Sequence, residues 1–208
     1  MAKLEQAFAG LPRGLRSERP AVPEPIQTAP RRREIGEGTR TAEIRLGWPV
    51  PGVEHPDWGP LLILDDLLST TGRRLAEDIR DRRALASSVD SGYVEFDDAG
   101  VMLVLATAQV DKVDAVVEAI LAQIVRLRQG DVTAAEVAAS LRAIAGRRAL
   151  GEESNQAQTS RARDEVSGTP ISYEEALSRL RTVTPGDIQR VARAYLDPVN
   201  HTLVIVRP

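Results

Sequence analysis

The stretch Thr41-Ala-Glu-Ile-Arg-Leu-Gly-Trp-Pro-Val50 determines the class of fold that the rest of the chain must complete. Its apolar residues Ala42, Ile44, Leu46 and Trp48 stand at every second position. Because successive side chains of an extended backbone point to opposite faces, this alternation predicts a half-buried β-strand. Such a strand needs neighbouring strands for its backbone and an apolar layer against its buried face.

Three more strands are predicted after this one. Ser87–Glu95 and Val101–Thr107 are joined by Asp97-Asp98-Ala99-Gly100, which is typical of a hairpin turn. His201–Val206 is the last predicted strand. Apolar residues at helical spacing predict helices at 57–68, 72–82, from 111 with a stripe that runs to 127, 133–150 followed by a polar helix to 163, and from 172 and 184 onward.

The order of these elements, β-α-α-β-β-α-α-α-α-β, predicts an α+β fold. Few strands and many helices favour a two-layer sandwich, in which a mostly antiparallel sheet is covered on one face by helices. The starts of four helices carry predicted capping residues: Asp57, Asp111, the pair Thr133 and Glu136, and the pair Ser172 and Glu175. The motif Thr184-Pro-Gly-Asp187 opens the last helix.

Proline and charge patterns divide the chain into three parts. Residues 1–11 have the composition of the tail of an amphipathic helix. Residues 12–38 combine repeated prolines with charges, which predicts an extended linker. Residues 39–208 hold the predicted strands and helices. Within the linker we interpret Arg31-Arg32-Arg33 as a solvated loop, with attraction of an anionic partner as the alternative.

The composition excludes several classes of function. A net charge of -3 and 3% aromatic residues give no basis for expecting a nucleic-acid partner, since phosphates require clustered positive charge and bases require stacking platforms. No apolar run approaches the roughly 20 residues that cross a bilayer, so no membrane partner is expected. The chain has no cysteine, which excludes disulfides and thiolate metal sites.

Candidate metal ligands and nucleophiles are few. The two histidines, His55 and His201, are far apart, and neither belongs to an H-E-x-x-H or H-x-x-E-H motif. We therefore predict no metal site and no catalytic residue in this chain. Ser87 and Ser88 form a conceivable nucleophile pair, but no histidine adjoins them and the chain has only two lysines as alternative bases. A serine hydrolase is the weakest of the functional alternatives.

The segment Leu75-Ala-Glu-Asp-Ile-Arg80-Asp-Arg-Arg-Ala-Leu85-Ala-Ser-Ser-Val89 places an arginine just before a strand. The predicted helix ends on Arg80, a short turn follows, and the extended segment begins near Leu85. This arrangement directs a guanidinium group towards whatever lies along the first residues of the strand. Its planar fork of donors suits a backbone carbonyl or a carboxylate.

Short motifs follow one another in a fixed order along nearly the whole chain. They are Leu46-Gly47-Trp48, His55-Pro56-Asp57, Leu64-Asp-Asp-Leu67-Leu68, Gly72-Arg-Arg-Leu75, Ile79-Arg80-Asp81, Ala84-Leu85-Ala86, Val183-Thr184-Pro185, Tyr195-Leu196 and Leu203-Val204-Ile205-Val206. In this order they resemble the C-terminal half-domain of the insulinase (pitrilysin) family of zinc metallopeptidases, which includes the mitochondrial processing peptidases. The resemblance extends from Phe8 to Pro208.

The resemblance implies that catalysis requires two half-domains with different roles. Members of this family combine two halves of one fold, and the N-terminal half holds zinc with H-x-x-E-H and a distal glutamate. The C-terminal half or its partner closes over the substrate, and there an arginine, followed seven residues later by a tyrosine, contacts the peptide. Arg80 matches the arginine, whereas Ser87 stands where the family has tyrosine. Ala84 stands where the family often has glycine.

These matches imply that the chain is a non-catalytic, substrate-embracing half-domain, with Arg80 and Ser87 as substrate-binding residues and zinc in the partner half. That half belongs to the same polypeptide or to a separate subunit, and a peptide is the expected substrate. Loss of a tyrosine hydroxyl costs on the order of 3 kcal/mol of transition-state stabilisation, and serine is too short to replace it. The alternative is an inactive assembly half-domain resembling the respiratory-complex core subunits. A homodimer and a bacterial cytoplasmic or periplasmic location remain open.

Overall fold

The computed structural model describes residues 6–10, 25–38, 40–69, 73–96, 98–152 and 173–208. It confirms the α+β class, with five strands forming one sheet. The elements are β1 (Arg31–Gly36), β2 (Ala42–Pro51), α1 (Trp58–Leu68), a π-helix (Ala76–Arg82), β3 (Ala86–Glu95), β4 (Ala99–Ala108), a 3₁₀ turn (Val110–Lys112), α2 (Val113–Gln129), α3 (Ala134–Glu152), α4 (Tyr173–Arg181), α5 (Pro185–Tyr195) and β5 (Thr202–Arg207). The predicted polar helix beyond 152 and the box at Ser172 lie outside the described residues.

Strand β2 lies at the centre of the sheet, whose order is β1-β5-β2-β4-β3. It pairs antiparallel with β4 on one side and with β5 on the other, so that Leu46 lies opposite both Val104 and Leu203. The alternating apolar side chains of β2 are completely buried under the helices. Glu43 and Arg45, on the other face, are exposed. The predicted two-layer arrangement is therefore confirmed.

Strand β1 was not predicted, and the interpretation of Arg31–Arg33 as a loop is wrong. These residues pair in parallel with β5, from Arg31 opposite Thr202 to Gly36 opposite Arg207. The Arg31 N–H donates to the His201 carbonyl at 2.9 Å. Nearly every β1 side chain is exposed, so no apolar alternation marks the strand. The sheet thus begins inside the predicted linker and has one strand more than the predicted order.

The predicted helix starts are confirmed where two residues cap each other's backbone N–H groups. In α5, the Asp187 N–H donates to Thr184 Oγ1 and the Thr184 N–H donates to the Asp187 carboxylate. Thr133 and Glu136 form the same box before α3. The single caps predicted at Asp57 and Asp111 are wrong. Asp57 makes no side-chain capping bond, and α2 starts after a 3₁₀ turn that contains Asp111.

The Asp57 carboxylate instead ties the loop before α1 to α5. It accepts a hydrogen bond of 2.7 Å from the Tyr195 hydroxyl and forms an ion pair of 2.7 Å with Arg190. Burial works to raise the pKa of Asp57, but the bonds from Tyr195 and Arg190 outweigh it, and the net pKa is lowered. Burial and the bond to Asp57 raise the pKa of Tyr195 to about 12, so the phenol stays a donor.

Replacing Tyr195 with phenylalanine should destabilise the fold in a pH-dependent way. A hydrogen bond to a charged group contributes about 1.5–3 kcal/mol, so we expect a loss of this order at pH 7. Because the pKa of Asp57 is lower in the folded state than in the unfolded chain, the ionised carboxylate stabilises the fold above about pH 4. That contribution is lost as the pH falls through the folded-state pKa, so the deficit of Tyr195→Phe should shrink there. Urea unfolding at pH 7 and pH 3 measures both values.

Tyr93→Phe provides the matched control. The Tyr93 hydroxyl donates to the Pro51 carbonyl at 2.6 Å, which is a bond to a neutral acceptor. Its removal should cost about 0.5–1.5 kcal/mol at both pH values. A deficit of Tyr195→Phe that is equally large at pH 7 and pH 3 would contradict the assignment of the charged acceptor.

Candidate functional site

Arg80 lies on the π-helix, with 36% of its side chain exposed. Its Nε donates to Asp81 Oδ1 at 2.8 Å and its Nη2 lies 3.4 Å from Asp81 Oδ2. The bond to Asp81 raises the pKa of Arg80, and the same bond holds the pKa of Asp81 low. Arg73 lies 3.3 Å from the same carboxylate. The guanidinium is therefore held from one side, and its Nη1 makes no bond to a described residue.

The π-helix fixes where this arginine sits. The Arg83 N–H donates to the Asp78 carbonyl and the Leu85 N–H donates to the Ile79 carbonyl, which are wider turns than those of an α-helix. Ile79 is completely buried, and Gln123 of α2 donates to the Asp78 carboxylate at 2.9 Å. The helix ends at Arg82, the last residue of the predicted helix 72–82 and two residues beyond Arg80. Short π-helical segments are rare and occur often at functional sites.

Ala84 turns the chain from the π-helix into β3 in a left-handed backbone conformation, with φ of 47°. A side chain with a Cβ adopts this region at a cost of roughly 1–2 kcal/mol, which glycine avoids. The Lys112 ammonium group donates to the Ala84 carbonyl at 2.9 Å and holds the turn. The strand then begins at Ala86, between the predicted onset of extended chain near Leu85 and the predicted strand Ser87–Glu95.

Ser87 is exposed and lies at an irregularity of β3, where the pairing with β4 shifts between Ala86 and Ser88. Its hydroxyl donates to the Thr107 carbonyl at 3.0 Å. A carbonyl oxygen cannot remove the serine proton, so this arrangement does not activate a nucleophile. Arg80 and Ser87 flank the same turn, but no hydrogen bond joins them among the described contacts.

The outer edge of β3 is partly covered by Asp65 of α1. The Ser91 hydroxyl donates to Asp65 Oδ1 at 2.6 Å, and the Tyr93 N–H also bonds to this carboxylate. The Ser91 N–H donates to Asp90 Oδ1 at 2.9 Å. Burial raises the pKa of Asp65. This contact could not be predicted from the sequence, because a strand serine and a helix aspartate carry no signal that they will meet.

Two findings concern metals and membranes. Among the described residues, no three or more His, Cys, Asp or Glu side chains are grouped so that they could hold a metal ion. Within the same ranges, no helix combines the length and the apolar character needed to cross a bilayer.

Replacing Ala84 with glycine should stabilise the protein. The native φ of 47° is strained for alanine and unstrained for glycine, whereas glycine costs more conformational entropy on folding. The first effect is larger at a positive φ, so we expect a gain of about 0.5–1 kcal/mol in urea unfolding. Ala86→Gly, in the extended strand that follows, is the control and should be destabilising. Destabilisation by Ala84→Gly would show that the turn does not adopt the left-handed conformation.

Comparisons with known proteins agree with this architecture. The family model described as "Peptidase M16 inactive domain" matches residues 1–144. An "Uncharacterized zinc protease" of Streptomyces coelicolor is 28% identical over 176 residues, which cover 82% of this chain and 38% of that protein. This chain therefore spans about two fifths of that relative.

Solved structures share the fold. A protease from Helicobacter pylori superposes with a TM-score of 0.87 at 23% identity, over 98% of this chain and 51% of that one. A peptidase M16 inactive domain from Pseudomonas fluorescens superposes with a TM-score of 0.79 at 18% identity, over 100% of this chain and 50% of that one. The resemblance stated from the motifs is confirmed, and the chain belongs to the peptidase M16 inactive-domain family as a non-catalytic half-domain.

Proposed function

We propose that this chain is the substrate-embracing half of a two-part zinc peptidase that cleaves peptides or unfolded polypeptides. The match to the inactive-domain family carries the proposal, and the relatives named as zinc proteases support it. In this proposal the zinc ion and its H-x-x-E-H motif belong to the other half, either in the same polypeptide or in a separate subunit. That half would supply the zinc-dependent hydrolysis, and this chain holds the substrate.

Arg80 is the proposed substrate-binding residue. Its contact with Asp81 fixes the plane of the guanidinium and leaves donor capacity on Nη1 for a substrate carbonyl or carboxylate. A fork that is already oriented loses less conformational entropy when it binds. The π-helix, packed through Ile79, holds the Arg80 backbone at the start of an edge strand.

Ser87 has a smaller proposed role, as part of the wall beside Arg80. Its hydroxyl already donates to Thr107, so it supplies no free donor to a developing oxyanion. Such a donor comes from the other half or from a partner in this proposal. A substrate could also be held as an added strand at the edge of the sheet. On the β3 edge this is restricted, since carboxylates already bond the Ser91 and Tyr93 N–H groups.

The isolated chain should have no zinc-dependent peptidase activity, and activity should appear when the metal-bearing half is added in trans. The reason is that the metal ligands belong to that half. Cleavage of a fluorogenic unfolded substrate, with and without zinc and with each half alone as the control, measures this. Zinc-dependent turnover by this chain alone would contradict the proposal. An assembly half-domain, the alternative function, would bind its partner without affecting turnover.

Arg80→Ala should lower kcat/KM of the reconstituted enzyme by about 10- to 100-fold, because a charge-assisted hydrogen bond contributes about 1.5–3 kcal/mol. Arg80→Lys should recover little, since an ammonium group lacks the fork. Arg82→Ala is the matched control, because Arg82 lies on the same π-helix, is exposed and pairs with Asp78 at 3.1 Å. Equal losses for Arg80→Ala and Arg82→Ala, or assembly with unchanged turnover for Arg80→Ala, would refute the role of Arg80.

A further inference from the structure

The π-helix and the turn into β3 carry more positive than negative charge. The segment 73–85 contains five arginines and three carboxylates, in a chain whose net charge is -3. They are Arg73, Arg74, Arg80, Arg82 and Arg83, and Glu77, Asp78 and Asp81. Lys112 adds a further positive charge, because its ammonium group donates to the Ala84 carbonyl at 2.9 Å. A local excess of this kind attracts anionic groups even though the whole chain is acidic.

The three carboxylates of this segment are already used. Each pairs with an arginine of the same segment at 2.8 to 3.3 Å: Glu77 with Arg73, Asp78 with Arg82, and Asp81 with Arg80. Arg74 pairs with Glu136 of α3 at 2.6 Å. Arg83 is exposed, and its guanidinium forms no hydrogen bond or ion pair in the part of the chain that the structure describes. Arg83 is therefore the arginine of this segment whose charge no carboxylate balances.

The backbone around Arg83 is held on both sides. The Arg83 N–H donates to the Asp78 carbonyl at 3.2 Å, and the Leu85 N–H donates to the Ile79 carbonyl at 2.8 Å. The left-handed residue Ala84 lies between these two bonds. The Arg83 side chain thus extends from a fixed point while its donors remain unused. An unoccupied guanidinium fork on a fixed backbone suits the recognition of a carboxylate.

Arg83 follows Arg80 by three residues, and both precede the first residues of the edge strand β3. Arg80 keeps Nη1 for a ligand, since Asp81 occupies the other side of its guanidinium. A neutral backbone carbonyl on Arg80 would leave the charge of the turn unbalanced, whereas a carboxylate on Arg83 would balance it. The two arginines therefore suit two different groups of one bound peptide.

We propose that Arg83 is a specificity-determining residue that binds a carboxylate of the substrate, beside the point where Arg80 holds the peptide. The inference rests on the proposed function, for which it names a substrate class: peptides with a carboxylate at one defined position. That carboxylate belongs to a glutamate or aspartate side chain or to the C-terminus of the peptide. Arg83 takes no part in bond cleavage and acts on substrate affinity.

Fluorogenic peptides with a single glutamate test this specificity in the reconstituted enzyme. The glutamate is moved along an otherwise uncharged, amidated sequence, and glutamine at the same position is the matched control. We expect glutamate to raise kcat/KM about two- to fivefold over glutamine at one or two positions, since a partly exposed ion pair contributes modestly. This preference should fall at high salt. Glutamine peptides with a free C-terminus show whether a terminal carboxylate serves instead.

Variants of Arg83 assign the preference to this residue. Arg83→Gln should remove it, and Arg83→Glu should invert it, so that lysine is favoured at the same position. Arg82→Gln is the matched control, because it removes the same charge from the neighbouring residue, whose guanidinium already pairs with Asp78. It should leave the preference unchanged. Thermal unfolding checks that each variant is folded.

Fluorescence anisotropy of labelled versions of the same peptides with the 208-residue chain gives a second readout, which does not need the zinc half. The chain should bind the glutamate peptide about two- to fivefold more tightly than the glutamine peptide. Arg83→Gln should bind the two peptides equally, and Arg82→Gln should keep the difference.

A carboxylate preference that is absent in both readouts, that survives Arg83→Gln, or that Arg82→Gln removes equally overturns the inference. Weaker assembly of the two halves by Arg83→Gln with an unchanged preference also overturns it, because Arg83 would then bind the other half. Turnover without a charge preference removes this inference and leaves the proposed function. A charge preference in binding without zinc-dependent turnover removes only the peptidase role.

Discussion

The backbone of β2 is hydrogen-bonded on both sides, to β4 along its whole length and to β5 from Glu43 to Gly47. This register determines which side chains face the helices. A slip of one residue would expose Ile44 and Leu46 and would bury Glu43 and Arg45, so the apolar alternation strongly specifies the pairing. The same alternation gives the sheet two different faces, one packed in the core and one opposite to it. The packing of the core and the character of the opposite face both follow from this one strand.

The elements that sequence reasoning found are those whose signal is local. The alternation of β2, the hairpin of β3 and β4, and the reciprocal boxes at Thr133 and Thr184 each depend on residues close together in the chain. Strand β1 is different, because its charged side chains are mostly exposed and it pairs, among the described strands, with β5 alone, which is far along the sequence. The cap predicted at Asp57 failed for a related reason. Tyr195 and Arg190 use that carboxylate, and neither is near it in sequence.

In the candidate site, too, some features could be predicted from the sequence and others depend on packing between elements. The position of Arg80 followed from motif order, and the structure places it beside the start of an edge strand as the segment 75–89 suggested. Its contact with Asp81, the left-handed Ala84 and the Asp65 carboxylate over the β3 edge could not be read from sequence. Each of these arises from packing between elements, and each changes the chemistry. Asp81 orients the guanidinium, Ala84 sets the direction of the strand, and Asp65 occupies part of the β3 edge.

The pairing of β1 with β5 has a consequence for synthesis on the ribosome. Strand β1 emerges before the other described strands, yet β5, with which it pairs, is translated last of the described elements. A nascent chain therefore carries β1 unpaired while β2, β3 and β4 are already able to assemble. Its arginines and Glu34 disfavour association with other nascent chains, because charged edges resist strand addition. The charged side chains that leave this strand without an apolar alternation thus also protect it from association until β5 has been translated.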